Sequence, residues 1–243
     1  MVSVRKLLRG AASCVLFGAF GLGSLVLSPL ILLLGTTERR QPVVRFVWGV
    51  LVWLFIRLGL IRLDRGELPN CRGTILVANH PSLIDVVLLS VLVPRLLCVA
   101  KRAVGTNPFM GVVARSVILP VGAENLGQVA DCLAAGWNVL VFPEGTRSPR
   151  GGSDAEPALH RFRRGAAQLA LRTGAPIVCV GIRQSRRILA KFQPAWDVGA
   201  DPVRYAIRAD EATMERPQPG ESQHAAACRV TAELERRVKE LLA

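Results

Sequence analysis

The sequence predicts an α/β layer protein behind an apolar N-terminal helical segment. Two observations carry this. From about Gly66 onward, short β-rich runs alternate with helical patterns, as expected when helices cover a sheet. The first strand-like runs are almost wholly apolar, the pattern of strands buried on both faces. Ahead of them, residues 11–37 contain no charged side chain, enough apolar chain to cross a bilayer core.

Taken in chain order, the uncharged stretch follows Arg5, Lys6 and Arg9. A cleaved signal has a shorter apolar core and a small-residue cleavage site. Here the run is long and ends in Thr36-Thr37-Glu38, which favours a retained anchor. A second apolar run spans Val43 to Leu63, interrupted by Arg45, Arg57 and Arg62 and carrying Trp48 and Trp53. Two full spans with the N-terminus inside would put Arg39, Arg40 and Arg45 outside, against the preference for cytoplasmic cations. A hairpin dipping into one leaflet, or one span plus an interfacial helix, avoids that conflict. A buried helix of the following domain is the other alternative. The division expected is a membrane-associated helical segment over 1–64 and an α/β domain over 65–243.

Within that domain, strands are expected at Thr74–Ala78, Leu96–Ala100, Val117–Val121, Asn138–Phe142, Ile177–Gly181 and Val203–Ile207. Helices are expected at Leu83–Val93, Leu126–Ala135 and Leu159–Thr173. A last amphipathic helix runs from Ser222 to Ala243, with Val230, Leu234, Val238 and Leu241 spaced for one face. Ser148 to Asp154 is rich in turn formers and reads as a flexible insert.

The 243 residues carry 31 Lys+Arg against 18 Asp+Glu, a formal charge of +13, and 51% are hydrophobic. Such a chain buries enough surface to offset its conformational entropy, so disorder is excluded. A many-spanning transporter is excluded because long apolar stretches occur only in the first quarter. The combination of apolarity and positive charge suits an anionic membrane surface. The stretch 145–191 is especially basic, its arginines opposed only by Asp154 and Glu156. It reads as a lipid-docking face, as a contact for an acidic carrier protein or CoA phosphates, or as a solvated face. A nucleic-acid binder would carry a reading motif or stacking aromatics, and none is present. The six cysteines form no CxxC and no Cys/His cluster, so neither a disulfide framework nor a metal site is expected. They read as small core residues in a reducing compartment.

General-base candidates are few, since there are only three histidines. His160 opens a basic helix pattern and His224 lies in an Ala-rich segment. His80 ends an apolar strand and precedes Pro81, favoured at a first helical position, with Asp85 five residues on. On a regular helix residues five apart would point about 140° apart. If His80 stays outside the helix, its ring can fold back onto Asp85, which would hold one ring nitrogen and leave the other free to take a proton. A strand end opening a helix is also where α/β sheets place their sites. The competing reading is a capping His beside a solvent-facing Asp. A second constellation, Phe142 to Ser148, also follows an apolar strand. Glu144 and Arg147 project from a turn made possible by Gly145. A guanidinium there can grip a phosphate and a carboxylate can orient a hydroxyl. The bland alternative is a turn bearing a surface ion pair.

Together the two constellations resemble those of the lysophospholipid (glycerol-phosphate) acyltransferase superfamily. Asn79-His80-Pro81-Ser82-Leu83-Ile84-Asp85 is similar to its NHxxxxD motif, and Phe142 to Ser148 matches its FPEGTRS motif in full. Lys101, Phe162-Arg163-Arg164-Gly165 and Gly174-Ala175-Pro176-Ile177-Val178 add to the resemblance, with Cys179 where a second proline is usual. The resemblance implies a mixed, largely parallel sheet flanked by helices. It implies transfer of an acyl group from acyl-CoA or acyl-carrier protein to a lipid hydroxyl, with no cofactor and no metal. His80 is then the general base, Asp85 its orienting partner, and Glu144, Gly145, Thr146 and Arg147 bind the acceptor, with Lys101 adding phosphate charge. The partners implied are membrane lipid and the thioester donor. The site would face the cytoplasm, at the inner membrane if the source is bacterial. Val121 stands where the family's second block often has arginine. The acceptor is therefore open between 1-acylglycerol-3-phosphate and another lipid, such as lyso-ornithine lipid or a polyene or pigment lipid. No GxSxG elbow supports a serine hydrolase. A non-catalytic membrane scaffold is the remaining rival.

Overall fold

β-Branched and aliphatic runs build a seven-stranded sheet in this computed structural model, which describes residues 4–100, 116–120, 126–149 and 158–243. The strands are β1 (Ile61–Arg65), β2 (Ile75–Ala78), β3 (Leu96–Ala100), β4 (Ile118–Pro120), β5 (Asn138–Val141), β6 (Ile177–Gln184) and β7 (Val203–Ala209). Their spatial order is β1-β7-β6-β2-β5-β3-β4, and every neighbouring pair is parallel except β6 and β7. The expected mixed, largely parallel sheet is the one observed. Alternation within β2 shows why its run is wholly apolar. Ile75 and Val77 enter one core, Leu76 and Ala78 the other, and all four are buried.

The first core is roofed by α2 (Thr37–Arg57) and α3 (Asp85–Leu92), through Val44, Trp48, Phe55 and Leu88. The second is roofed by α4 (Leu126–Ala134), α5 (Gly165–Thr173) and α6 (Gln223–Leu242). Ser222 caps α6 by accepting the Ala225 N–H at 3.2 Å. Val230, Leu234 and Val238 are buried as expected. Leu242 completes that i, i+4 row, while Leu241 is only partly buried. Leu241 instead lies over Gly181 of β6, where an added Cβ would sit 2.7 Å from the Leu241 Cβ and 2.9 Å from its carbonyl oxygen. Gly181→Ala is therefore expected to destabilise the fold by about 1–3 kcal/mol through overpacking, measured by denaturant unfolding.

Three expectations shift for identifiable reasons. The second apolar run is not one element. Its front belongs to α2, which starts earlier, and its tail is β1, whose residues pair with β7 from Ile61↔Val203 to Arg65↔Ile207. The boundary expected at 64/65 thus falls on a strand of the sheet. α2 is not a free membrane span: Trp48 and Phe55 share a core with the sheet, and Arg45 donates to the Val91 carbonyl at 3.0 and 3.1 Å. α3 begins at Asp85 rather than Leu83, and ahead of it the Leu83 amide donates to the Leu189 carbonyl and the Ser82 amide to Asp85. α5 begins at Gly165 rather than Leu159. Upstream, the amides of His160, Phe162 and Arg163 are taken by Glu144, Glu235 and the Pro143 carbonyl, and that stretch is not helical.

α1 (Val4–Leu33) is the one helix among the described residues long and apolar enough to cross a membrane. Most of its large apolar side chains are exposed, among them Leu8, Val15, Leu22, Val26 and Leu33. Its lower end is fastened by Arg9, whose guanidinium donates to the carbonyls of Gly59, Leu60, Gly199 and Asp201. All six cysteines are free thiols. Burial pushes the thiols of Cys98 and Cys179 up to about 12. Since the thiolate is the reactive form, maleimide at pH ~7.5 is expected to modify exposed Cys228 and to spare these two until the chain is unfolded. Mass spectrometry of labelled peptides reads this directly.

Candidate active site

β2 and β5 are adjacent parallel strands in the register Val77↔Val141, so the segments leaving their carboxyl ends meet on one edge of the sheet, the usual place for sites in such sheets. Asn79 leaves β2 by using its side-chain amide as a ladder rung. It donates to the Ile182 carbonyl at 2.8 Å and accepts the Ile182 N–H at 2.7 Å. This fully buried amide ties the start of the motif to β6.

His80 lies outside the helix, and its ring does turn back. Nδ1 is 2.9 Å from Asp85 Oδ2, and the ring stacks on Phe142 with centroids 4.1 Å apart. Asp85 is fully buried, which removes the reading of a solvent-facing carboxylate. Its two oxygens collect the Ser82 N–H at 2.7 Å, the Ser82 hydroxyl at 2.5 Å and His80 Nδ1. A carboxylate only accepts, so the neutral imidazole tautomer that makes this bond carries its proton on Nδ1 and its lone pair on Nε2. The His80 side chain retains 17% of its surface, while Asp85 retains none. A fixed imidazole with one free basic nitrogen can remove a proton from an alcohol.

The turn after β5 grips the His80 peptide rather than facing outward. Glu144 is 2% exposed. Oε1 accepts the His80 N–H at 3.0 Å and the Ser148 hydroxyl at 2.5 Å, and Oε2 accepts the His160 N–H at 2.9 Å. The Ser148 N–H returns a bond to the His80 carbonyl at 2.7 Å. Glu144 is thus spent on the chain's own donors. Gly145 has φ +68°, and a Cβ there would lie 2.9 Å from the Arg163 guanidinium, so this turn needs glycine. Thr146 is half-buried beside it. Arg147 does not pair with Glu144. It donates to the Leu189 carbonyl at 3.0 Å, the same oxygen that accepts the Leu83 N–H at 3.1 Å. Burial draws its pKa down and the charge of Asp85 partly offsets this, which leaves a half-buried cation beside the imidazole loop. Lys101 and Val121 lie outside the described residues. A separate cavity of about 540 Å³ lined by Gly73, Asp131 and Arg172 sits at the opposite end of β2 and involves none of these side chains.

Residues 62–183 match the family described as acyltransferase. The chain belongs to the acyltransferase family. It is 25% identical over 205 residues to a chloroplastic 1-acyl-sn-glycerol-3-phosphate acyltransferase of Brassica napus, covering 77% of this chain and 57% of that one. It is 30% identical over 139 residues to the 1-acyl-sn-glycerol-3-phosphate acyltransferase of Pseudomonas aeruginosa, covering 52% of this chain and 51% of that one. The chain therefore spans little more than half the length of these relatives. The crystal structure of the 1-acyl-sn-glycerophosphate acyltransferase PlsC of Thermotoga maritima superposes with a TM-score of 0.70 at 23% identity, covering 100% of this chain and 98% of that one. That likeness is one of fold.

Asn79, Ser82, Ser148 and His160 were not singled out as functional by sequence reasoning. Asn79, Ser82 and Ser148 carried a signal in lying inside the two motifs, the serines three and four residues from the carboxylates they bind.

Proposed function

We propose that the protein transfers a fatty acyl group from acyl-CoA or acyl-carrier protein to the free hydroxyl of a lysophospholipid such as 1-acylglycerol-3-phosphate. The observation that carries this reading is the His80–Asp85 pair, with a carboxylate buried under a partly open imidazole. His80 Nε2 takes the hydroxyl proton as the oxygen attacks the thioester carbon. The tetrahedral intermediate collapses, the C–S bond breaks, and the imidazolium returns its proton to the departing thiolate. No acyl-enzyme forms, because the acceptor oxygen is itself the nucleophile. Arg147 is the phosphate ligand, with Lys101 as its companion. Glu144 acts through the loop it grips, while Gly145 and Thr146 present backbone to the acceptor.

The exposed apolar side chains of α1, together with Phe46, Val50 and Trp53 on the outer face of α2, support a helical hairpin seated in the cytoplasmic leaflet. In that arrangement Arg39, Arg40 and Arg45 need not cross the membrane. The 64/65 division then separates lipid-facing from catalytic functions rather than two independently packed bodies.

The test is acyl transfer by purified protein in mixed micelles, with palmitoyl-CoA and palmitoyl-carrier protein against a panel of lyso-lipids. Transfer to lysophosphatidic acid supports the glycerophosphate reading. Turnover only on lyso-ornithine lipid or another acceptor lacking glycerol phosphate would replace it with a different acceptor, and no transfer from folded protein would favour a scaffold. Within the same assay Arg147→Ala is expected to raise the KM for a phosphate-bearing acceptor about 10- to 100-fold, the loss of one charge-assisted contact. The KM of the donor should stay within about twofold of wild type by the same account.

A further inference from the structure

Below Asp85 lies a polar chain through Ser82 and Tyr205, both without exposed surface. Tyr205, the only tyrosine in the sequence, sits on β7 with no exposed surface, beyond the residues 62–183 that match the family. Its hydroxyl is 3.1 Å from Ser82 Oγ, and Ser82 Oγ is 2.5 Å from Asp85 Oδ1. On its far side the Tyr205 hydroxyl meets Gln184 Nε2 of β6.

Proton bookkeeping fixes the direction of every bond. Asp85 only accepts, so the Ser82 hydroxyl proton points to Asp85. Ser82 then has no proton left for Tyr205, so the phenol must donate to Ser82. Tyr205 in turn needs a donor, which requires Gln184 to present its amide NH₂. That orientation leaves Gln184 Oε1 buried without a partner among the described residues, a cost accepted where the network demands it. Burial raises the Tyr205 pKa strongly, so the phenol stays a donor at any working pH.

We propose that Tyr205 is a positioning residue. Through Ser82 it holds the Asp85 carboxylate in the orientation that pins His80 Nδ1–H and keeps Nε2 aimed at the acceptor. The inference rests on reading His80 and Asp85 as base and orienting partner. It assigns a part of the reaction to a strand outside both motifs.

Tyr205→Phe tests it, since the ring that fills the core is kept and only the hydroxyl is lost. In steady-state assays kcat is expected to fall about tenfold with both KM values within about twofold, because the substrates do not meet this group. Ser82→Ala should lower kcat at least as much. The double variant should be no slower than Ser82→Ala, since both act through one hydrogen bond. A readout independent of turnover is the low-field ¹⁵N-bound Nδ1 proton of His80, identified by its loss in His80→Ala. Its exchange with water should be about tenfold faster in Tyr205→Phe. A kcat within twofold of wild type, multiplying effects in the double variant, or an unchanged His80 proton would each overturn the proposal. If His80→Ala itself retained transfer, the base assignment would fall, and the exchange measurement would still judge whether Tyr205 holds the pair.

Discussion

His80→Ala is expected to lower kcat by about 10³-fold, within the range that a positioned general base contributes. The loss should be almost entirely chemical. The His80 peptide is held by Glu144 and Ser148 through backbone bonds that alanine keeps, so the loop has no reason to move. What changes in the fold is that Asp85 loses one of its three donors and Phe142 its stacked ring. That costs about 1–3 kcal/mol, a fall in Tm of a few degrees for a chain of this size. Single-turnover acyl transfer beside a thermal melt separates the two effects. A variant that melts near wild type yet transfers at the wild-type rate would remove His80 from the chemistry.

Asp85→Asn should be at least as damaging, although it changes a side chain that an acceptor cannot reach. Three donors converge on the carboxylate, and an amide has one accepting oxygen. With its NH₂ turned toward His80, asparagine donates to Nδ1 instead of accepting from it. The imidazole is then driven to the tautomer with Nε2 protonated, which cannot act as a base. In comparable His–Asp pairs such a tautomer error lowers kcat about 10⁴-fold, and about 10³ to 10⁴ is expected here. The acceptor KM should change little, since Asp85 is fully buried. Asp85→Glu is the useful companion variant. It keeps the charge but lengthens the arm, and partial activity there would separate charge from reach.

Legibility of this fold from its sequence followed burial. β2, β3, β5 and β6 are central strands with apolar residues on both faces, so their runs stand out from composition alone. β1 did not stand out. Its sequence Ile61-Arg62-Leu63-Asp64-Arg65 is an edge strand with Arg62, Asp64 and Arg65 exposed, and it follows directly on an apolar helix that absorbed it. Helix starts were misread where backbone donors had been claimed from elsewhere, as at His160, Phe162 and Arg163. The site shows the same division. The five-residue step from His80 to Asp85 is local, so its geometry could be reasoned from spacing. Glu144 was legible as a residue but not as a clamp, because its partners His80 and His160 arrive from distant segments. Tyr205 carried no signal at all, since its link to Ser82 joins positions 123 residues apart.

The seating of the first two helices has a practical corollary. Trp48 and Phe55 fill the same core as the sheet, and Arg9 ties α1 to the carbonyls of Gly59, Leu60, Gly199 and Asp201. A shortened version designed for water solubility by deleting the two N-terminal helices would lose part of its interior along with its exposed apolar face. Solubility has to be sought by repainting the outer surface of that hairpin, at Phe46, Val50 and Trp53, rather than by cutting it away.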